Sequence, residues 1–120
     1  MAVMELTVTD VASTSSPGSE VAVLSVTGEV DIYTAQALDE RLVEVINSGR
    51  TKVVMDLTGV GFMDSTGLGV VVKTLKRVRE LGGSLGLVVT DDRIHKVFRI
   101  TGLDRALDLH GSVPDAVAAA

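Results

Sequence analysis

Residues 4–9 alternate in character, with Met4, Leu6 and Val8 set against Glu5, Thr7 and Thr9. A period of two is that of a strand with one buried face. Residues 10–19 collect Ser, Thr, Pro and Gly, including Pro17-Gly18, and read as a loose hairpin loop. The β-branched run 21–27 is the returning strand. After Gly28-Glu29-Val30-Asp31 the period changes. Ala35, Leu38, Leu42, Val45 and Ile46 recur at helical spacing, while Asp39, Glu40, Arg41 and Glu44 fall on other faces. Thr34 is the predicted N-cap of this helix and Gly49 its left-handed C-terminal residue.

Residues 52–57 form a short apolar run interrupted by Asp56, which predicts a central strand. Residues 58–63, with Gly59 and Gly61, are predicted as a loop. A second helix begins at Asp64 or Ser65 and runs to about Leu81. Leu68, Val71, Val72, Leu75 and Val78 are its expected apolar face, and Lys73, Lys76, Arg77 and Glu80 its charged face. Gly82-Gly83 ends it, and residues 84–90 are another strand. Asp91 is placed to cap a third helix that points Ile94, Val97 and Phe98 inward, with Gly102 and Leu103 closing it. Residues 107–109 suit a short edge strand, and Ser112 a capping residue for a short last helix.

The order β-β-α-β-α-β-α-β-α implies parallel strands joined by right-handed crossovers, plus one antiparallel hairpin at the start. The expected fold class is α/β: a mixed β-sheet with an N-terminal antiparallel hairpin, covered by about four α-helices. Residues 1–120 read as a single domain.

Composition narrows the chemistry. There is no cysteine, so disulfides, thiolate metal sites and thiol nucleophiles are all excluded. Two Phe, one Tyr and no Trp leave little to stack on bases. A net charge of −5 opposes a phosphate backbone, so no nucleic-acid partner is expected. No basic-then-apolar leader opens the chain, and no apolar run approaches the ~20 residues of a membrane span. The expectation is a cytoplasmic protein with no membrane partner.

The polar chemistry gathers at Asp64-Ser65-Thr66-Gly67-Leu68-Gly69. Gly59-Val60-Gly61 begins like a dinucleotide fingerprint but runs into Asp64, and no phosphate-loop motif exists. Met63-Asp64-Ser65-Thr66-Gly67 is not the G-x-S-x-G of a nucleophile elbow, since Met63 stands at the first glycine position. The two histidines, His95 and His110, come late and read as surface or capping residues. They make no metal-ligand spacing with the carboxylates. Asp56 suggests the phospho-acceptor of a receiver domain, but the acidic pair and late lysine of such domains are missing. No catalytic residue, metal or cofactor is therefore expected. Two readings of Ser65 stay open: a helix cap beside Asp64, or a hydroxyl that another protein modifies, since a helix N-terminus suits a phosphate.

Three stretches together resemble a known family: Gly28-Glu29-Val30-Asp31 with Thr34-Ala35, residues 54–60, and Phe62-Met63-Asp64-Ser65-Thr66-Gly67-Leu68-Gly69. They resemble the anti-sigma factor antagonists, which are single STAS domains. The resemblance implies a protein without catalytic activity of its own. Its implied partners are an anti-sigma factor with serine kinase activity, which it binds to release a sigma factor, and a serine phosphatase that resets the switch. Ser65 matches the phosphorylated serine of the family. Asp31 matches an acidic residue lying near it, and Asp64, Thr66, Gly67, Leu68 and Gly69 form the surrounding surface. Thr66 is a possible second acceptor. Lys73, Lys76 and Arg77 are either a solvated face or part of a docking surface. Phe62 and Met63 are read as core residues anchoring the loop, with partner contact as the alternative. A small-molecule sensor of the STAS type is the rival function.

Overall fold

A computed structural model describes residues 3–12 and 20–120. Five strands form one sheet in the order β1-β2-β3-β4-β5: β1 (Met4–Ala12), β2 (Glu20–Val30), β3 (Lys52–Met63), β4 (Ser84–Val88) and β5 (Asp108–His110). The first pair is antiparallel and the others are parallel, as the element order requires. Four helices complete the chain: α1 (Ala35–Asn47), α2 (Ser65–Glu80), α3 (Asp92–Ile100) and α4 (Val113–Ala119). A 3-10 turn, Leu103–Arg105, joins α3 to β5.

Period two in the strands decides which side each residue serves. Leu24, Met55 and Leu87 sit on one face and are fully buried beneath Leu38 and Leu42 of α1, Val71 and Val78 of α2, and Phe98 of α3. The opposite face is covered by α4 alone, where Ala116 and Val117 pack on Val21, Val23, Val54 and Val88. At roughly 1.5–3 kcal/mol per buried aliphatic side chain, these two layers supply the driving force in a protein with few rings. Gly49 and Gly102 adopt the positive φ expected of them, at 94° and 76°.

Four expectations are corrected. The hairpin strands run further than 9 and 21: Asp10, Val11 and Ala12 pair with Ala22, Val21 and Glu20, and Val11, on the face opposite Met4, Leu6 and Val8, packs on the α4 side. Pro17-Gly18 lies outside the described residues. The loop predicted at 58–63 is strand. β3 passes through it by two bulges against β2, one between the Ser25–Asp56 and Thr27–Gly59 pairs and one between the Gly28–Val60 and Glu29–Phe62 pairs. The extra residues break the alternation, which is why the segment does not read as a strand. Thr34 is the N-cap residue of α1, as expected, but its side chain makes no capping bond to the helix; its hydroxyl is used within the preceding turn, where Asp31 Oδ1 accepts from the Tyr33 and Thr34 N–H groups. Finally, α2 buries Gly67, Val70, Val71, Thr74, Leu75 and Val78, whereas Leu68 and Val72 are only half-buried. Thr74 is tolerated inside because its hydroxyl donates to the Val70 carbonyl at 2.8 Å.

Candidate functional site

The bulged end of β3 delivers Met63 beside Val30, the last residue of β2. The Asp64 N–H then donates to the Val30 carbonyl at 3.1 Å, tying the start of α2 to the end of β2. Gly67 makes this close approach possible. A Cβ there would stand 2.7 Å from Val30 Cγ1 and 2.9 Å from Met63 Cγ, both on buried side chains. The glycine therefore serves helix-on-strand packing, while Gly69, with nothing within 4 Å, does not.

Asp64 holds the corner. Its Oδ1 accepts from the Thr66 N–H at 2.9 Å, the Gly67 N–H at 3.3 Å and the Thr66 hydroxyl. The Thr66 hydroxyl, with help from the N–H groups of Gly67, Thr66 and Ile32, holds this carboxyl below its ordinary value against the opposing effect of desolvation. Two N-terminal amides of α2 are thus already satisfied. Ser65, by contrast, is exposed, and its hydroxyl has no hydrogen-bond partner among the described residues.

A second acidic turn abuts the first. Asp31 Oδ1 accepts from the N–H groups of Tyr33 at 2.9 Å and Thr34 at 3.3 Å. Thr34 is buried, its hydroxyl donating to the Glu29 carbonyl at 2.8 Å and accepting from the Asp31 N–H at 2.9 Å. The turn is locked from inside, and its Ile32 N–H faces the Asp64 carboxylate. Asp31, Asp64, Ser65, Thr66 and Gly67 are therefore brought to one corner. Leu68 and Gly69 leave it along α2 and line an open groove against Thr101 and Leu103.

Around this corner the structure exposes large apolar side chains. Ile32 is 69% exposed, Tyr33 84% and Phe62 50%. The expectation that Phe62 is core is corrected: the second bulge turns it outward, while Met63 is buried as read. Ile32 and Tyr33 were missed by sequence reasoning. The available signal was composition, because two of the chain's three aromatic residues stand here, facing out.

The other candidates do not join the site. Asp56 Oδ1 accepts from the Thr58 N–H and hydroxyl, at 3.1 and 2.8 Å, at the first bulge. His110 on β5 is level with Val88 and Asp56, two strands away and roughly 20 Å short of the tip of β3. His95 is exposed on α3. No group of three metal-ligating side chains forms among the described residues, and none of their helices is long and apolar enough to cross a membrane.

A mixed sheet with three helices on one face, one on the other, and an Asp-Ser-Thr-Gly corner opening α2 defines a STAS domain. The model of that family matches residues 14–116, and the chain belongs to it. Within the family it groups with the anti-sigma factor antagonists. It is 42% identical over 86 residues to the anti-sigma-B factor antagonist of Bacillus subtilis, covering 72% of this chain and 78% of that one. The crystal structure of an anti-sigma factor antagonist from Mycobacterium paratuberculosis superposes with a TM-score of 0.85 at 29% identity, covering 98% and 93% of the two chains. The Bacillus cell fate determinant SpoIIAA in its phosphorylated form has the same fold, with a TM-score of 0.69 at 20% identity over 94% and 96% of the chains.

Proposed function

We propose that this protein is a phosphorylation-switched anti-sigma factor antagonist. In its unmodified form it binds an anti-sigma factor with serine kinase activity, in the cytoplasm, and frees that factor's sigma subunit. It performs no chemistry itself. The kinase brings ATP, Mg²⁺ and the base that Ser65 lacks, and a serine phosphatase resets the switch. The observation that carries this reading is the contrast at the corner: Ser65 is exposed with a bare hydroxyl, while Thr66 is held by Asp64. The same contrast favours Ser65 over Thr66 as the acceptor.

A phosphate on Ser65 would carry about −1.5 to −2 charges. It would arrive where the Thr66 and Gly67 amides are already taken by the Asp64 carboxylate. It therefore competes with that carboxylate or stands in solvent beside it. Either way the corner gains negative charge in front of any partner while the core beneath is untouched. That a protein of the same fold is known in phosphorylated form supports this reading.

The test is incubation with kinase-type anti-sigma factors and Mg-ATP, followed by mapping of the modified residue. Label is expected on Ser65 and absent from Ser65→Ala. Ser65→Ala is expected to bind the kinase and Ser65→Asp to bind it weakly. Equal binding by wild type and both variants would sink the switch.

A further inference from the structure

The same helix that begins at Ser65 borders an open groove of about 690 Å³, closed on its far side by Thr101 and the 3-10 turn after α3. Its apolar lining comes from Leu68 and Val72, one helical turn apart on α2, and from Leu103 opposite. All three are half-buried, while Val71, Leu75 and Val78 of the same helix are buried together with Val70 and Thr74. The charged lining is Lys73, Lys76, Arg77 and Glu80. With Lys73 paired to Asp39, Lys76 and Arg77 against Glu80 leave the groove net basic on a chain whose net charge is −5.

The cations are not equivalent. Lys73 reaches Asp39 on α1 at 2.9 Å, and Arg77 reaches the Asn47 side chain at 2.9 Å, so both help to strap α1 to α2. Lys76 makes no ion pair or hydrogen bond among the described residues. It stands roughly 16 Å along the helix axis from Ser65, at 1.5 Å per residue, well beyond the reach of a phosphate there.

The geometry points to this groove as a second docking surface, one that takes an acidic amphipathic helical segment of the kinase partner and is separate from the Ser65 corner. The inference rests on the kinase-partner reading given above. Apolar positions at i and i+4 facing an apolar wall suit a helix laid in a groove. The basic lining selects an acidic one, and the groove opens one turn from the acceptor serine, so a single partner spans both. Ser65 then controls whether the partner seats on the corner, while the groove sets how tightly it is held during phosphorylation.

The closing experiment measures Ser65 phosphorylation by the kinase that labels it, over a range of concentrations of this protein. Lys76→Glu is expected to raise KM about fivefold with kcat little changed, as loss of a charged rim contact does. Glu80→Lys, which removes the one opposing charge, is expected to lower KM, a result that a folding defect does not produce. Lys96→Glu on α3, outside the groove lining, makes the same charge change as Lys76→Glu and should match wild type. Wild-type KM for both groove variants, or an equal rise in Lys96→Glu, overturns the docking surface. Failure of the kinase reading looks different: wild type itself takes no label at Ser65, and the inference falls with it. A small amphipathic anion seen by native mass spectrometry on wild type but not on Lys76→Glu, with KM unmoved, gives the groove another occupant and also overturns it.

Discussion

Gly67 and Gly69 lie two residues apart in the same helical turn, yet alanine should move them in opposite directions. In a helix interior, replacing Gly with Ala gains up to about 1 kcal/mol. At Gly69 nothing lies within 4 Å of the new methyl, so that gain is realised. At Gly67 the methyl meets Val30 Cγ1 at 2.7 Å and Met63 Cγ at 2.9 Å. Val30 is β-branched and 0% exposed and Met63 is 4% exposed, so neither swings clear. Overpacking of this kind costs about 1–3 kcal/mol, which outweighs the propensity gain and leaves a net loss near 1 kcal/mol. The two variants should therefore differ by about 2 kcal/mol, or about 8 °C in Tm at ~4 °C per kcal/mol. Urea denaturation with an unchanged slope and thermal melts measure this directly. If Gly67→Ala is as stable as Gly69→Ala, the close contact of α2 with the end of β2 is wrong, and the corner geometry derived from it falls.

Other expectations follow from the same corner. Thr34→Val keeps the buried shape but leaves the Glu29 carbonyl and the Asp31 N–H without their partner, and should cost about 1–3 kcal/mol by urea denaturation. Asp64 and Asp91 both cap helices with lowered pKa values, Asp64 chiefly through the Thr66 hydroxyl and Asp91, at about 2, chiefly through Arg93. A lowered carboxyl stabilises the fold fully above its ordinary value of 3.8 and loses that contribution as pH falls through its folded value. Urea midpoints should hold from pH 7 to about 5 and fall between about 4 and 2. Asp64→Asn, which keeps an acceptor oxygen but does not titrate, should show a shallower fall than wild type.

Much of this fold is legible from period alone. Where one face is buried and the chain is regular, as in the first residues of β1 or in α1, the apolar positions name the element and its inward side. The misreadings share a cause. At 58–63 two extra residues break the alternation, so a strand that is paired throughout most of its length looks like a loop. On α2 the apolar stripe is too wide to have one phase, and Thr74 turns inward because a backbone carbonyl satisfies it. Asp64, Ser65 and Gly67 could be singled out by residue type and spacing. Asp31's role in locking the turn ahead of α1 could not, because it depends on the buried Thr34 hydroxyl that fixes the turn. Ile32 and Tyr33 escaped, and Phe62 read as core, because exposure of an apolar residue is a property of the bulge and the turn, not of the residue.

The long, bulged β3 has a further consequence. β4 and β5 stop level with Asp56, while β2 and β3 continue to Val30 and Met63. The sheet is five strands wide at its body and narrows toward the corner, in a molecule 41 Å long and about 25 Å across. Fewer ladder bonds restrain the backbone at that tip than in the body, so its local opening free energy is lower. Amide exchange would grade along β3, slow at Val54 and faster near Met63. A tip of this kind can enter a cleft and adjust to it while the five-stranded body stays closed.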